Sequence, residues 1–151
     1  MSALLARARR RLGGRASDEG STVLEVVILA PALALFLGLI VAGGRLAVAH
    51  QSVEAAGAQA ARAASIARTQ DESLAAARSA ATSALDDQGL NCVTSDVSVD
   101  VAGFATPVGT PASVGVTVTC EVSLADTLPG LPGTIAVSST VRSALDTYRE
   151  R

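Results

Sequence analysis

The chain contains no lysine and no tryptophan, a single histidine, and only three aromatic residues, Phe36, Phe104 and Tyr148. Each shortage closes a possibility. With aromatics at 2%, there is little material for the aromatic-lined pocket that most small-molecule sites use. The lone His50 leaves the plentiful serines and threonines without the base that a nucleophilic hydroxyl needs. His50 and two cysteines also fall short of the four ligands of a structural zinc site. No phosphate-cradling glycine loop is present. The expectation is a protein that is not an enzyme and carries no metal and no cofactor.

What is there is small and aliphatic. Hydrophobic residues make up 49% of the 151, mean hydropathy is +0.41, and alanine, valine and leucine supply most of it. Such a composition suits a helix and a thin sheet. Charge is unevenly placed. Residues 1–20 hold five arginines against Asp18 and Glu19, a balance of +3, while the remainder holds seven arginines against twelve acids, a balance of −5. A basic front with an acidic remainder argues against nucleic-acid binding, which needs a basic patch on the folded domain. It suits a membrane-orientation signal instead, with the arginines kept cytoplasmic.

The run Val26–Gly44 has nineteen residues without a charge. A bilayer core of about 30 Å needs roughly 20 apolar helical residues, so this run is long enough to span it. Everything after Arg45 is then expected to be extracytoplasmic. Pro31 sits early in the helix, where it can bend it. Ala30, Ala34, Gly38 and Ala42 recur every fourth residue, and a line of small residues lets a second helix approach closely. Chance in an alanine-rich helix gives the same spacing as readily.

Just before the run stand Gly20, Ser21 and Glu25. A glycine, a carboxylate five positions later and an apolar run behind a basic leader is the order read by a prepilin peptidase. Cleavage after Gly20 would free an amine on Ser21, and Glu25 is one helical turn further on. Its carboxylate would pair with that amine or with a neighbouring subunit's. Without cleavage, Glu25 is an ordinary first-turn acid favoured by the helix dipole. A rival signal, Ala47-Val48-Ala49 before His50, has the small-x-small form of a signal-peptidase site, although the apolar run is longer than such signals usually carry. Cleavage there would release a secreted soluble domain. A single-pass anchored binding module is the other alternative.

Gly20, Glu25 and Pro31, followed by Gly44-Arg45 and by Ala61-Arg62-Ala63-Ala64, resemble the TadE/TadF-like pseudopilins of tight-adherence, Flp-type pilus systems. The resemblance covers about residues 17–68. Val26 departs from it, since the family usually has an aromatic after the glutamate. It implies a minor pilin-like subunit that is cut by a prepilin peptidase and engages pilins or pseudopilins and the pilus assembly platform.

Beyond Arg45, Val53, Ala56, Ala60, Ala63 and Ala67 keep helical spacing, interrupted by Gly57 at a cost of up to ~1 kcal/mol. Thr69 with Glu72 has capping-box form. It predicts a second helix from Gln70 to Leu85, with Leu74, Ala77, Ala81 and Leu85 inward and a stop at Asp86-Asp87-Gln88-Gly89. After Gly89 the period changes to 2. Val97, Val99 and Val101 form one set, Val114 to Leu124 a second, and Ile135, Val137 and Val141 a third. The segments 103–111 and 128–133 between them are rich in glycine and proline. This predicts a three-stranded antiparallel meander covered by the alanine-rich helix.

Cys92 and Cys120, the only cysteines, are expected to form a disulfide in an extracytoplasmic domain. Cys92 is out of phase with Val97, which calls for a bulge. The expected class is α+β and pilin-like: a long N-terminal transmembrane helix, a second helix and a small three-stranded antiparallel sheet. The expected organisation is a basic leader over 1–20, a transmembrane helix over 21–48, an extracytoplasmic helical region over 49–89, and an extracytoplasmic β region over 90–151.

Overall fold

The computed structural model describes the backbone of residues 16–127 and 132–148, and the side chains of residues 25–125 and 132–148. Part of the second glycine-proline segment, 128–131, lies outside them. The elements run in the order α1 (Ala16–Ile66), α2 (Gln70–Asp87), β1 (Cys92–Asp100), a 3₁₀ turn (Ala102–Ala105), β2 (Ser113–Ser123), the single turn α3 (Leu124–Thr127) and β3 (Thr134–Ala144). The expected class, α+β with two helices and a small sheet, is the observed one. The chain falls into two compact units, Met1–Val41 and Ala42–Arg151, and α1 contributes residues to both.

In the first unit α1 keeps Pro31 within the helix. Its large apolar side chains, from Val26 to Val41, are all more than half exposed.

In the second unit the rest of α1 forms one wall of the core. Ala49, Val53, Ala56, Ala60, Ala61 and Ala64 are buried there. The expected stripe is nearly right, except that Ala63 is half-buried while Ala61 and Ala64 are as fully buried as Val53, Ala56 and Ala60. Gly57, read as a flaw in the helix, is a point of close approach. A Cβ there would meet Val141 Cγ2 of β3 at 3.2 Å. Ser65 fixes the same face, since Ser143 Oγ donates to Ser65 Oγ at 3.0 Å and Ser65 Oγ donates to the Arg62 carbonyl.

Local chemistry sets the bounds of α2. Thr69 is its N-cap and accepts the Glu72 N–H at 3.2 Å. The Glu72 carboxylate reaches back to the Arg68 N–H at 3.0 Å, one residue beyond the usual partner in a capping box. At the other end Gly89 has φ +64. Its N–H donates to the Asp86 carbonyl and the Leu90 N–H to the Leu85 carbonyl, the paired bonds of a Schellman stop. Gln88 Nε2 donates to the Ser52 carbonyl of α1 at 3.4 Å. Ala77, Ala81, Ala84 and Leu85 face inward, as does Ser73, while Leu74 is only half-buried. Ser73, Ala77 and Ala81 form an i, i+4 line of small side chains on the inner face.

The sheet has the order β1-β2-β3, antiparallel throughout. Its inner face is aliphatic. Val99, Val116 and Val141 form one row across the three strands, and Val97, Val118 and Ser139 the next. The expected bulge is present between Cys92 and Thr94. Two expectations about strand ends fail. Val101 lies outside β1, because Asp100 Oδ1 accepts the Ala102 N–H and turns the chain into the 3₁₀ segment. Leu124 lies outside β2 and begins α3. The breaker-rich segment 103–111 also holds an unexpected core residue, Phe104, at 6% exposure.

Gly103, beside it, is packed against β2: a Cβ built there would land on the Ser113 carbonyl oxygen. Backbone cannot step aside as a side-chain tip can. Gly103→Ala is therefore expected to destabilise by about 1–3 kcal/mol through overpacking, read as a lower unfolding midpoint. Ser73 gives the opposite expectation. Its hydroxyl is wholly buried and has no hydrogen-bond partner. Removing an unsatisfied buried group relieves a penalty of about 1–3 kcal/mol, offset by the small void left. Ser73→Ala should leave the denaturation midpoint unchanged or raise it.

Candidate assembly surface

The residues expected to act in processing and helix pairing all fall on α1. Gly20 and Ser21 are within its helical backbone, and their side chains lie outside the described ones. Glu25 is exposed. Along the helix that follows, an 18-residue window reaches a mean hydropathy of 2.7 with none of it buried. The helix is thus long and apolar enough to cross a membrane. At 1.5 Å per residue, the uncharged Val26–Gly44 run extends about 28 Å, close to the hydrocarbon thickness.

Ala30, Ala34, Gly38 and Ala42 lie along this segment. Beside Gly38, and likewise beside Gly43 and Gly44, nothing comes within 4 Å of where a Cβ would stand. No packing within the chain requires these glycines. Their neighbours are large and exposed: Leu35 at 76%, Leu39 at 67% and Phe36 at 59%. A helix with small residues among bulky aliphatic ones presents a shallow groove that a second helix can enter.

The other expected pair is on the sheet. Cys92 and Cys120 are joined by a disulfide with Cα atoms 5.3 Å apart. The register explains how. Cys92 stands opposite Val122 and Cys120 opposite Ser95, so the bond runs diagonally across the β1–β2 ladder at the bulge. Cys120 is fully buried against the helices.

His50 is exposed on α1. Among the described residues no group of three or more histidine, cysteine, aspartate or glutamate side chains gathers. An open groove of about 690 Å³ is lined by Ser65, Ile66, Ala67, Arg68 and the segment Ala144–Asp146, without an aromatic wall. The sequence reading did not single out Asp96, Asp100 and Arg142, which stand on the two outer strands with exposed side chains. Alternation of residue types gives their face, but it does not say which strands are edges.

Among the described residues, one helix long and apolar enough to cross a membrane precedes a second helix and a disulfide-tied meander, an arrangement that fits a pilin-like protein with a membrane anchor. Residues 20–62 match the family of TadE-like proteins. The resemblance carried by Gly20, Glu25, Pro31 and Gly44-Arg45 is therefore borne out over that segment, and the sheet lies beyond it. No curated protein and no solved structure matches the chain.

The disulfide closes a loop with a separation of 28 residues. Constraining a loop of that size in the unfolded chain stabilises by about 3–4 kcal/mol. The double variant Cys92→Ala/Cys120→Ala is expected to lose about that much. Thermal unfolding of the purified protein measures it, and reductant should lower the midpoint of the native chain but not of the variant.

Proposed function

We propose that this chain is a minor, TadE-like pilin subunit that acts in the assembly of tight-adherence, Flp-type pili and performs no catalytic turnover. The observation that carries the reading is a coincidence of position. The TadE-like match begins at Gly20 and takes in Glu25, the exposed apolar helix and its small-residue line.

In this reading the basic leader over 1–20 stays in the cytoplasm and a prepilin peptidase cuts between Gly20 and Ser21. Residues 21–48 hold the protein in the membrane, and the helical and β regions, 49–89 and 90–151, stand outside. Uncut, α1 runs through Gly20 without a break. Cutting replaces that continuous backbone with a charged amine at Ser21. A carboxylate within the membrane is costly unless paired, by roughly 2.5–3.5 kcal/mol at the centre and less near the interface. The new amine gives Glu25 a partner, from its own chain or from a pilin or pseudopilin beside it. Ala30, Ala34, Gly38 and Ala42 then pack against neighbouring helices or the assembly platform.

Intact mass and N-terminal sequencing of the protein from native membranes test the processing step. The expected mature chain begins at Ser21, and Gly20→Ala retains the leader. Glu25→Gln is expected to be cut normally and yet to lose most of its incorporation into pilus or platform complexes. A mature chain beginning at His50 would identify a secreted domain instead. An uncut chain with full function would leave an anchored binding module.

A further inference from the structure

The backbone of the sheet fixes which groups its outer strands turn away from the ladder. The Leu145 N–H donates to the Ala112 carbonyl, and the Leu124 N–H to the Gly133 carbonyl, each at 2.9 Å. Both bonds extend the β2–β3 register at its two ends. In an antiparallel ladder hydrogen-bonded pairs alternate with non-bonded ones. Odd-numbered residues of β3 therefore bond to β2, and Thr134, Ala136, Ser138, Thr140, Arg142 and Ala144 turn their N–H and C=O groups outward. By the same parity, odd residues of β2 bond to β1. The outward groups of β1 are then those of Ser95, Val97 and Val99.

Among the described residues, neither outer edge makes a backbone hydrogen bond to another element. Exposed edges are usually blunted with lysine, proline or bulges. β3 has eleven residues, no lysine, no proline and no bulge. The bulge of β1 is at its first residues, away from Ser95–Val99.

We propose that β3 of one copy pairs in parallel with β1 of the next, so that the sheets of successive copies join head to tail. Three features select a second copy as the occupant. The parities match: with Thr140 opposite Ser98 of the next copy, the outward groups of Thr140 meet those of Val97 and Val99, and those of Ser138 meet Ser95 and Val97. The same register sets Arg142 opposite Asp100, and Asp96 stands four residues before it on the same face of β1, so the cationic edge meets the anionic one. The inner valine row Val99–Val116–Val141 continues into Val99 of the neighbour. Pairing β3 with β3 of another copy meets none of the acids of β1 and ends at a dimer. The head-to-tail contact is heterologous and does not close at two copies.

This contact does not depend on the pilus reading or on cleavage at Gly20, and its failure would leave both untouched. Asp96 and Ser138 are exposed and lie in one row of the sheet with Thr119 between them. At about 4.8 Å per strand they are roughly 10 Å apart within a chain, beyond disulfide reach. In the proposed register they face each other between copies.

Full-length Asp96→Cys/Ser138→Cys protein in native membranes is oxidised and run without reductant. A ladder of dimer, trimer and higher bands is expected, with neither single variant giving more than traces. Adding Thr140→Pro removes an outward N–H that the fold does not use and that meets the Val97 carbonyl of the next copy. It should abolish at least nine-tenths of the ladder while the Cys92–Cys120 bond still forms, which shows that the domain has folded. Monomer alone from the double variant overturns the proposal. So do dimers from Ser138→Cys by itself, which signal β3–β3 pairing, cross-links to a different protein, or a ladder indifferent to Thr140→Pro.

Discussion

Close approach between an alanine-lined helix pair and a valine-lined sheet is the constraint on which the fold of the second unit depends. Burial stabilises by about 25 cal/mol per Å² of apolar surface, and alanine offers little of it. A core whose largest fully buried side chains are valines must recover the deficit through contact distance. Gly57 facing Val141, Gly103 against the Ser113 carbonyl and Ser73 on the inner face of α2 are consequences of that one demand. At each, any larger side chain holds the layers apart and loses dispersion contacts along the whole interface.

A thin core also explains where the remaining stability is placed. The Cys92–Cys120 bond ties the start of β1 to the middle of β2 at the bulge, where the ladder is weakest. Cross-strand aromatic pairs, a common source of sheet stability, are absent from the registered pairs. Their place on the outer face is taken by hydroxyl residues, and the Thr117 and Thr140 hydroxyls share a hydrogen bond of 2.9 Å. β-Branched threonine supplies strand propensity there without adding an apolar patch. The capping pair Thr69–Glu72 and the stop at Gly89 bound α2 by local hydrogen bonds that add no apolar burial.

Much of this was legible in the sequence because it depends on period and on chain direction. The change from 3.6 to 2 after Gly89 separated helices from strands. The phase error at Cys92 announced the bulge. The caps of α2 were visible as residue types. What escaped depends on distance in three dimensions. Gly57 carries the same letter whether it weakens a helix or admits a strand. Phe104 sits among glycine and proline, so its burial follows from the turn begun by Asp100 and not from any alternation. Ala63 and Ala64 differ by 100° around the helix, which alanine-rich composition leaves undecided. The small residues of α1 are in the same position: nothing in the chain comes within 4 Å of where a Cβ of Gly38 would stand, so the fold adds nothing to what the spacing of Ala30, Ala34, Gly38 and Ala42 already offered.

The two exposed features of the chain differ in the solvent they demand. The Val26–Gly44 segment of α1 exposes aliphatic side chains all round, and in water each would forfeit the transfer energy that lipid or another helix returns. The edges of the sheet expose peptide groups, which water satisfies well, so an edge is stable alone and gains only when a partner offers matched groups without burying an unpaired charge. Covering the helix is therefore obligatory, whereas covering an edge is optional and depends on parity and charge. A helix that needs lipid or another helix, and an edge that accepts only a matched strand, thus place separate demands on one chain.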